Sequence, residues 1–332
     1  MSDQRKREAY LDGLKTFALL LVYALHTQRG VEVTDPCHNA VFFYAARCSM
    51  PLFFMVNGSL ILRKKEFTFQ YYKKKIAGIV RILCIWGTVT AVYKLLVARL
   101  DVLHALKEGV KGALAYTDVV NLWFFYSFIL IYTLLLFAFP FIKKHIWKVT
   151  AGLGVLCALV DAASLISIAN GGFFVQVMVT QRLRLWTWLF YFCLGYALSA
   201  ISLEKINAVL VHVAVVALTA VCVTCQYIIC WKITGQVESN YVYDNALVIL
   251  WCASVFLAFR RSERFSAFFA LFAGPSFGAF LLHSYFIDAF HLRSIVQGPW
   301  MALLSWALLS VGSFTLSWIL GKIPVVREAF RY

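Results

Sequence analysis

Lys15 and His26 are two residues of the first apolar segment whose side chains can do chemistry. They are eleven positions apart, which is three turns of an α-helix and a rise of about 16 Å, so both side chains face the same side. A histidine at membrane depth usually faces a bundle interior or a watery cavity, because exposing it to lipid costs free energy. A neutral imidazole can accept a proton from a hydroxyl group. The spacing therefore predicts a reactive site inside a membrane.

The composition indicates that lipid surrounds most of the chain. Of the 332 residues, 62% are hydrophobic and only 14% are charged, and the mean hydropathy is +0.77. Soluble globular proteins have about 25% charged residues. The formal net charge of +15 does not indicate nucleic-acid binding, because the basic residues form short clusters beside apolar runs and not one continuous stripe.

Apolar stretches of roughly twenty residues are long enough to cross a membrane as helices. We therefore predict an all-α, polytopic membrane protein with about ten transmembrane helices around a central cavity. The predicted spans are 14–34, 40–62, 77–98, 120–141, 146–168, 185–201, 206–230, 243–260, 266–288 and 300–321. Most of the 31 lysines and arginines then fall on the side of the N-terminus, so the positive-inside rule predicts that both termini are cytoplasmic.

The other sequence features predict a single membrane-embedded domain over residues 1–332. The first apolar run follows charged residues and lacks a small-residue cleavage site, so we expect it to remain as a signal anchor. Cys222 and Cys225 form a C-x-x-C pattern, but no nearby histidine or second cysteine pair accompanies it. Helix packing is the simpler interpretation of these cysteines, and we expect no bound metal.

Four sequence blocks together resemble the acyltransferase-3 family of integral membrane acyltransferases. The blocks are residues 12–26 (DGLKTFALLLVYALH), 47–58 (RCSMPLFFMVNG), 121–126 (NLWFFY) and 277–283 (FGAFLLH). Each block alone is weakly specific, but all four occur in the order found in the family. The chain looks like the short, single-domain branch that includes the enterobacterial common antigen O-acetyltransferase.

The resemblance implies an inner-membrane enzyme that moves an acyl group, most often acetyl from cytoplasmic acetyl-CoA, to a hydroxyl of a glycan or glycolipid. The family carries an arginine, ten residues and then a catalytic histidine in its first helix. His26 matches the histidine, whereas Lys15 stands in place of the arginine. Lysine cannot make the planar two-point contact that guanidinium makes with phosphate or carboxylate, so Lys15 is expected to contact such a group at a single point.

His26 is accordingly the predicted general base, and a transient acyl-histidine is an alternative that the sequence does not separate from it. Asp12 is predicted to pair with Lys15 or to orient the site. For the phosphates of CoA, the predicted residues are Lys73, Lys74, Lys75, Arg81 and Arg47. Juxtamembrane lysines also bind anionic lipid and set topology, and Arg47 could instead extend to the outer surface.

The predicted acceptor-binding residues are Asn121, Trp123, Tyr126, Arg182 and His283. Trp and Tyr stack on sugar faces, and arginine binds anionic sugars or pyrophosphate. Structural roles are the alternatives for these residues. Trp and Tyr are expected in an aromatic belt at a membrane surface, and a buried histidine can make a purely structural hydrogen bond.

A transporter or flippase of lipid-linked sugars is the alternative function. It would share the spans, the intramembrane charges and the cavity, but the pseudo-symmetric halves common in transporters are not visible in the sequence. A polyprenyl-phosphate glycosyltransferase would need acidic residues for metal or base chemistry, and the 16 Asp and Glu form no paired cluster.

Overall fold

The computed structural model describes residues 8–28, 42–114, 122–204, 206–233, 242–294 and 298–330. These residues form helices joined by short connections, and no strand occurs among them, which confirms the predicted all-α class. The α-helices are α1 Ala9–Gln28, α2 Ser49–Leu62, α3 Phe69–Leu96, α4 Val102–Ala113, α5 Trp123–Lys144, α6 Ile146–Ala169, α7 Leu185–Ala200, α8 Ala208–Tyr227, α9 Ala246–Arg261, α10 Glu263–Ala270, α11 Ala273–Ala289, α12 Pro299–Leu320 and α13 Pro324–Ala329. A 3-10 turn, Ala46–Cys48, leads into α2.

Every predicted apolar stretch overlaps a described helix, but not every such helix is long and apolar enough to cross a membrane. Six described segments meet both conditions, namely Phe42–Leu62, Phe69–Leu96, Trp123–Lys144, Ile146–Ala169, Ala208–Tyr227 and Pro299–Leu320. Helices α10 and α11 add a seventh if the pair, which is bent by 57°, is one span. Helix α7 is apolar but has only 16 residues. The structure thus supports six or seven spans, and the count of ten stays a prediction.

Helix α2 lies at the centre of the bundle. Within the apolar window of Phe42–Leu62, the segment that ends with α2, 78% of the residues are buried, whereas the figure is 11% for both α6 and α8. Helices α6 and α8 therefore lie at the periphery, where their apolar side chains meet lipid in a membrane. A helix that is apolar all round, as α2 is, belongs in the interior, because no polar face needs solvent.

The tightest helix crossing joins α2 to α7 through two glycines. A Cβ atom added at Gly58 would lie 1.8 Å from the carbonyl oxygen of Phe192, and one added at Gly195 would lie 2.0 Å from the carbonyl oxygen of Met55. Only a residue without a side chain permits such an approach of two backbones, which is how small residues drive helix association in membranes. The crossing holds α2, and hence its cavity-facing residues, in place.

Replacing Gly58 by alanine is expected to destabilise the protein by about 1–3 kcal/mol or more, because the new methyl group must displace backbone and not a flexible side chain. Thermal unfolding in detergent measures the effect as a lowered Tm. The matched control is Gly152→Ala in α6, where an added Cβ meets nothing within 4 Å. Equal melting temperatures for the two variants would contradict the packing argument.

Three basic side chains tie helix ends together at one end of the bundle, which we call the basic end. Arg63, after α2, bonds to Glu8 just before α1. Lys143, near the end of α5, donates to the carbonyl oxygen of Lys64, and Arg260 of α9 donates to the carbonyl oxygens that end α7. Partial burial raises the pKa of Glu8, but the hydrogen bond and charge of Arg63 outweigh it and hold this pKa below its usual range.

Candidate active site

His26 meets a second histidine from the other end of the chain. His26 lies in the last turn of α1, and His283 lies in the second half of α11; both side chains are buried. Their rings are joined by a 2.8 Å contact between His283 Nε2 and His26 Nδ1. Arg293 donates from Nε to the carbonyl oxygen of His26 at 3.1 Å and so holds the end of α1.

The surrounding hydrogen bonds assign the protons of the two rings. The carbonyl oxygen of Phe280 is the partner of His283 Nδ1, and because a carbonyl can only accept, Nδ1 carries the proton. In the neutral ring, Nε2 of His283 is then an acceptor, so His26 donates to it from Nδ1. The lone pair of His26 therefore resides on Nε2, the nitrogen that a general base would use. His283 fixes this tautomer in the way that partner groups fix other functional histidines.

Lys15 and Asp12 form an ion pair on the same helix, nearer the basic end. Lys15 Nζ lies 3.2 Å from Asp12 Oδ1, across one helical turn. The pairing foreseen from their spacing is present, and Lys15 offers its ammonium as a point charge, since its third of exposed surface leaves it accessible. Three turns of α1 separate this pair from His26.

A cavity of about 540 Å³ lies between α1, α2, α5 and α11. Its charged lining residues are Asp12, Lys15 and Lys75. Half of the remaining lining residues are aromatic, namely Phe53, Phe124, Phe125, Phe128, Phe277, Phe280 and Phe330. His26 and His283 do not line it; the Phe280 ring does, and its centroid is 5.3 Å from that of His283. The cavity thus approaches the histidine pair to within one side chain.

A second cavity, of about 520 Å³, adjoins the first at Lys75, which lines both. Its wall also includes Tyr71, Lys74 and Arg81, all from α3. The ammonium group of Lys64 lies 4.3 Å from the centre of the Tyr71 ring and adds a further cation. Of the predicted phosphate-binding residues, Lys74, Lys75 and Arg81 are therefore together, whereas Lys73 packs on Phe69 and lines neither cavity.

The four sequence blocks noted above converge on the first cavity. The first block supplies Asp12 and Lys15, the second supplies Phe53, the third supplies Phe124, and the fourth supplies Phe280. Sequence reasoning passed over these phenylalanines, although each lies inside a block that had already been singled out. Their type gave no signal, because phenylalanine is common throughout an apolar chain. Only the convergence of the helices distinguishes them.

Arg47 lies away from both cavities. It is in the 3-10 turn before α2, its side chain is fully buried, and its guanidinium lies over the rings of Phe43 and Tyr44 at 4.9 and 5.1 Å from their centres. The alternative in which this arginine reaches the outer surface is therefore wrong, because the aromatic rings cover it. A donor contact by Arg47 stays a prediction without support from its position.

Two of the predicted acceptor residues, Trp123 and Tyr126, lie one turn apart at the start of α5, and a third, Arg182, contacts Tyr126 from the 3-10 turn Gln181–Leu183. Tyr126 donates its hydroxyl to the carbonyl oxygen of Ala113 at 3.0 Å, and Arg182 lies over the Tyr126 ring at 5.8 Å. Trp123 packs against Trp188 at 5.2 Å between ring centres. His283 is not with them, because it contacts His26. Asn121 lies outside the described residues.

Within the described part of the chain, no group of three or more His, Cys, Asp or Glu side chains is arranged to hold a metal ion. Cys222 is buried and Cys225 is half-buried in α8, and both are free thiols.

Comparison with known proteins gives one match. No curated protein and no solved structure matches the chain. A family profile described as an acyltransferase domain, that of the acyltransferase-3 family, matches residues 8–322. The match includes the described helices from α1 to α12 and the residues of the histidine pair. The chain therefore belongs to the acyltransferase-3 family and is a multi-pass membrane acyltransferase.

Proposed function

We propose that this protein transfers an acetyl group from cytoplasmic acetyl-CoA to a hydroxyl of a cell-surface glycan or lipid-linked sugar, in the inner membrane. The observation that carries the proposal is the hydrogen bond between His26 and His283, which directs the lone pair of His26 to Nε2. A base in this form is what an acceptor hydroxyl requires.

In the proposed reaction, His26 Nε2 takes the proton of the acceptor hydroxyl as the hydroxyl oxygen attacks the thioester carbonyl carbon. The new C–O bond forms, the C–S bond breaks, and the imidazolium returns the proton to the departing sulfur. The products are an acetyl ester and the CoA thiol. General-base assistance of this kind is worth about 100- to 10,000-fold in rate.

The two adjoining cavities supply a path for the donor. The phosphates of CoA would contact Lys74, Lys75 and Arg81 in the second cavity. The pantetheine arm would then extend past Lys15 through the aromatic cavity toward the histidine pair. The positive-inside rule places the basic end at the cytoplasm, which puts His26, at the far end of α1, in the outer half of the membrane. Donor and acceptor would therefore approach His26 from opposite sides.

The first test is whether purified protein in detergent uses acetyl-CoA. We expect acetyl-CoA to raise the Tm and to be converted to CoA, and the conversion to accelerate when a cell-envelope glycolipid extract is added. CoA should be quantified by chromatography, because the nine cysteines of the protein would react with a thiol dye. If the protein neither binds nor converts acetyl-CoA or succinyl-CoA, the proposal is overturned and the transporter alternative is favoured.

Lys75→Ala is expected to raise the KM for acetyl-CoA by roughly tenfold with little change in kcat, since one charge-assisted hydrogen bond to phosphate is worth about 1.5–3 kcal/mol. Lys75 lines both cavities, so a CoA molecule that extends from one cavity into the other must pass this side chain. The matched control is Lys148→Ala in α6, an exposed lysine that lines neither cavity. A drop in kcat at unchanged KM would contradict a phosphate-binding role.

A further inference from the structure

We infer that Phe53, Phe124 and Phe280, which we call the aromatic cluster, select the acyl group of the donor. The cluster admits a short, uncharged acyl chain and excludes longer chains and chains that end in a carboxylate. This inference rests on the proposed function and adds to it the class of donor that the site accepts.

The three rings come from three different helices and meet at one point. The Phe280 ring of α11 is 6.3 Å from the ring of Phe53 in α2 and 5.3 Å from the ring of Phe124 in α5, both measured between centres and both edge to face. This geometry is the favoured packing of aromatic pairs. The Phe280 ring contacts both of the other rings and is held between α2 and α5, which limits the space beside it.

The position of the cluster makes it the surface that the acyl group meets. Phe280 precedes His283 by one turn of α11, on the side of the cavity, and its backbone carbonyl accepts from His283 Nδ1. A donor whose phosphates lie at Lys74 and Lys75 enters from the other end of the cavity. Its acyl group is the leading end and reaches the cluster immediately before the histidine pair.

Size discrimination follows from the tight packing of the rings. A hydrophobic pocket distinguishes substrates that differ by one methylene by about 10- to 200-fold. A butyryl chain has two more methylenes than acetyl and would have to displace the Phe280 ring from the contacts that hold it. Acetyl, with a single methyl group, needs no such displacement.

Charge discrimination follows from the chemistry of the wall. The charged residues that line the cavity are Asp12, Lys15 and Lys75, and Asn57 and Ser276 are its uncharged polar residues, whereas the cluster offers only aromatic carbon and hydrogen. Arg293 follows the end of α11 and does not line the cavity. Its Nε donates to the carbonyl oxygen of His26. A succinyl carboxylate at the cluster would lose its water without gaining a charged partner there, which is strongly unfavourable.

The experiment compares acetyl-, propionyl-, butyryl- and succinyl-CoA as donors for the full-length protein in detergent, with CoA release measured by chromatography. For the wild type, we expect kcat/KM to be at least about 100-fold higher with acetyl than with butyryl, and succinyl to be a poor donor. Phe280→Ala should lower the acetyl-to-butyryl ratio by tenfold or more, through faster use of butyryl-CoA.

Phe280→Leu is the second variant, because it keeps most of the buried volume and should fold if the alanine variant does not. Its acetyl-to-butyryl ratio of kcat/KM is expected to lie between those of the wild type and the alanine variant. The matched control is Phe137→Ala in α5, whose side chain is 79% exposed and lies away from the cavity, and it should keep the wild-type ratio.

Two results would overturn the inference while leaving the proposed function intact. One is a wild type that uses butyryl- or succinyl-CoA as well as acetyl-CoA. The other is a Phe280→Leu or Phe280→Ala protein that turns over acetyl-CoA with the wild-type ratio. Absence of His26-dependent CoA release from all four donors would overturn both the inference and the proposed function.

Discussion

Replacing His26 by alanine is expected to lower the rate of CoA release from acetyl-CoA by about 100- to 10,000-fold, the usual contribution of a general base. The loss should appear in kcat, because the His26 side chain does not line the cavity proposed for the donor and, in the proposed reaction, would contact the reacting hydroxyl and not the CoA phosphates. Binding of acetyl-CoA, measured as its effect on the Tm, should persist.

The control for this variant is His212→Ala, which removes an exposed histidine of α8 that bonds only to its own helix among the described contacts. His212→Ala should keep the wild-type rate. Removal of His26 also deletes the partner of His283, so the Tm of the variant has to be compared with that of the wild type before the rate is interpreted. A folded His26→Ala protein with the wild-type rate would exclude His26 as the base.

Replacing His283 by phenylalanine is the change with the next largest expected effect, a loss of roughly 10- to 100-fold in kcat. The phenylalanine ring keeps the volume but removes the acceptor of the His26 Nδ1 proton, and leaving a buried donor without its acceptor costs about 1–3 kcal/mol. His26 could then satisfy its Nδ1 group only by changing its tautomer or its orientation. A new tautomer moves the lone pair away from Nε2, and a new orientation moves Nε2 away from its position beside the acceptor.

His283→Gln distinguishes a positioning role from a purely structural one. The glutamine amide oxygen reaches approximately the place of the imidazole Nε2 and can accept from His26, so this variant should recover most of the activity that phenylalanine loses. If both variants lose activity to the same extent while remaining folded, His283 does more than orient His26. If both retain full activity, the tautomer argument is wrong.

The local features of the site could be predicted because a helix has a fixed period. Asp12 and Lys15 are three residues apart, so their pairing follows from the helix surface, and the structure contains it. The placement of His26 on the same face as Lys15 follows in the same way. These predictions need no knowledge of what surrounds the helix.

The partner of His26 could not be predicted, although His283 was already a candidate. The two residues are 257 positions apart, and periodicity says nothing about which helices become neighbours. His283 was assigned to acceptor binding or to a structural hydrogen bond, and its contact with His26 supports a positioning role. Arg47 and Lys73 show the opposite outcome, because tertiary packing placed both outside the cavities that the other predicted cations line.

The sequence by itself determined that the chain is a helical membrane protein with a basic side, because the length, hydropathy and flanking charge of an apolar run are local properties. It also predicted His26 as the reacting residue of the first helix. Tertiary structure alone decided that His26 meets His283 and that three phenylalanines from three helices meet beneath them. The physical reason is that helix packing depends on the fit of whole surfaces, such as the approach that Gly58 and Gly195 permit, and that fit is a property of pairs of helices.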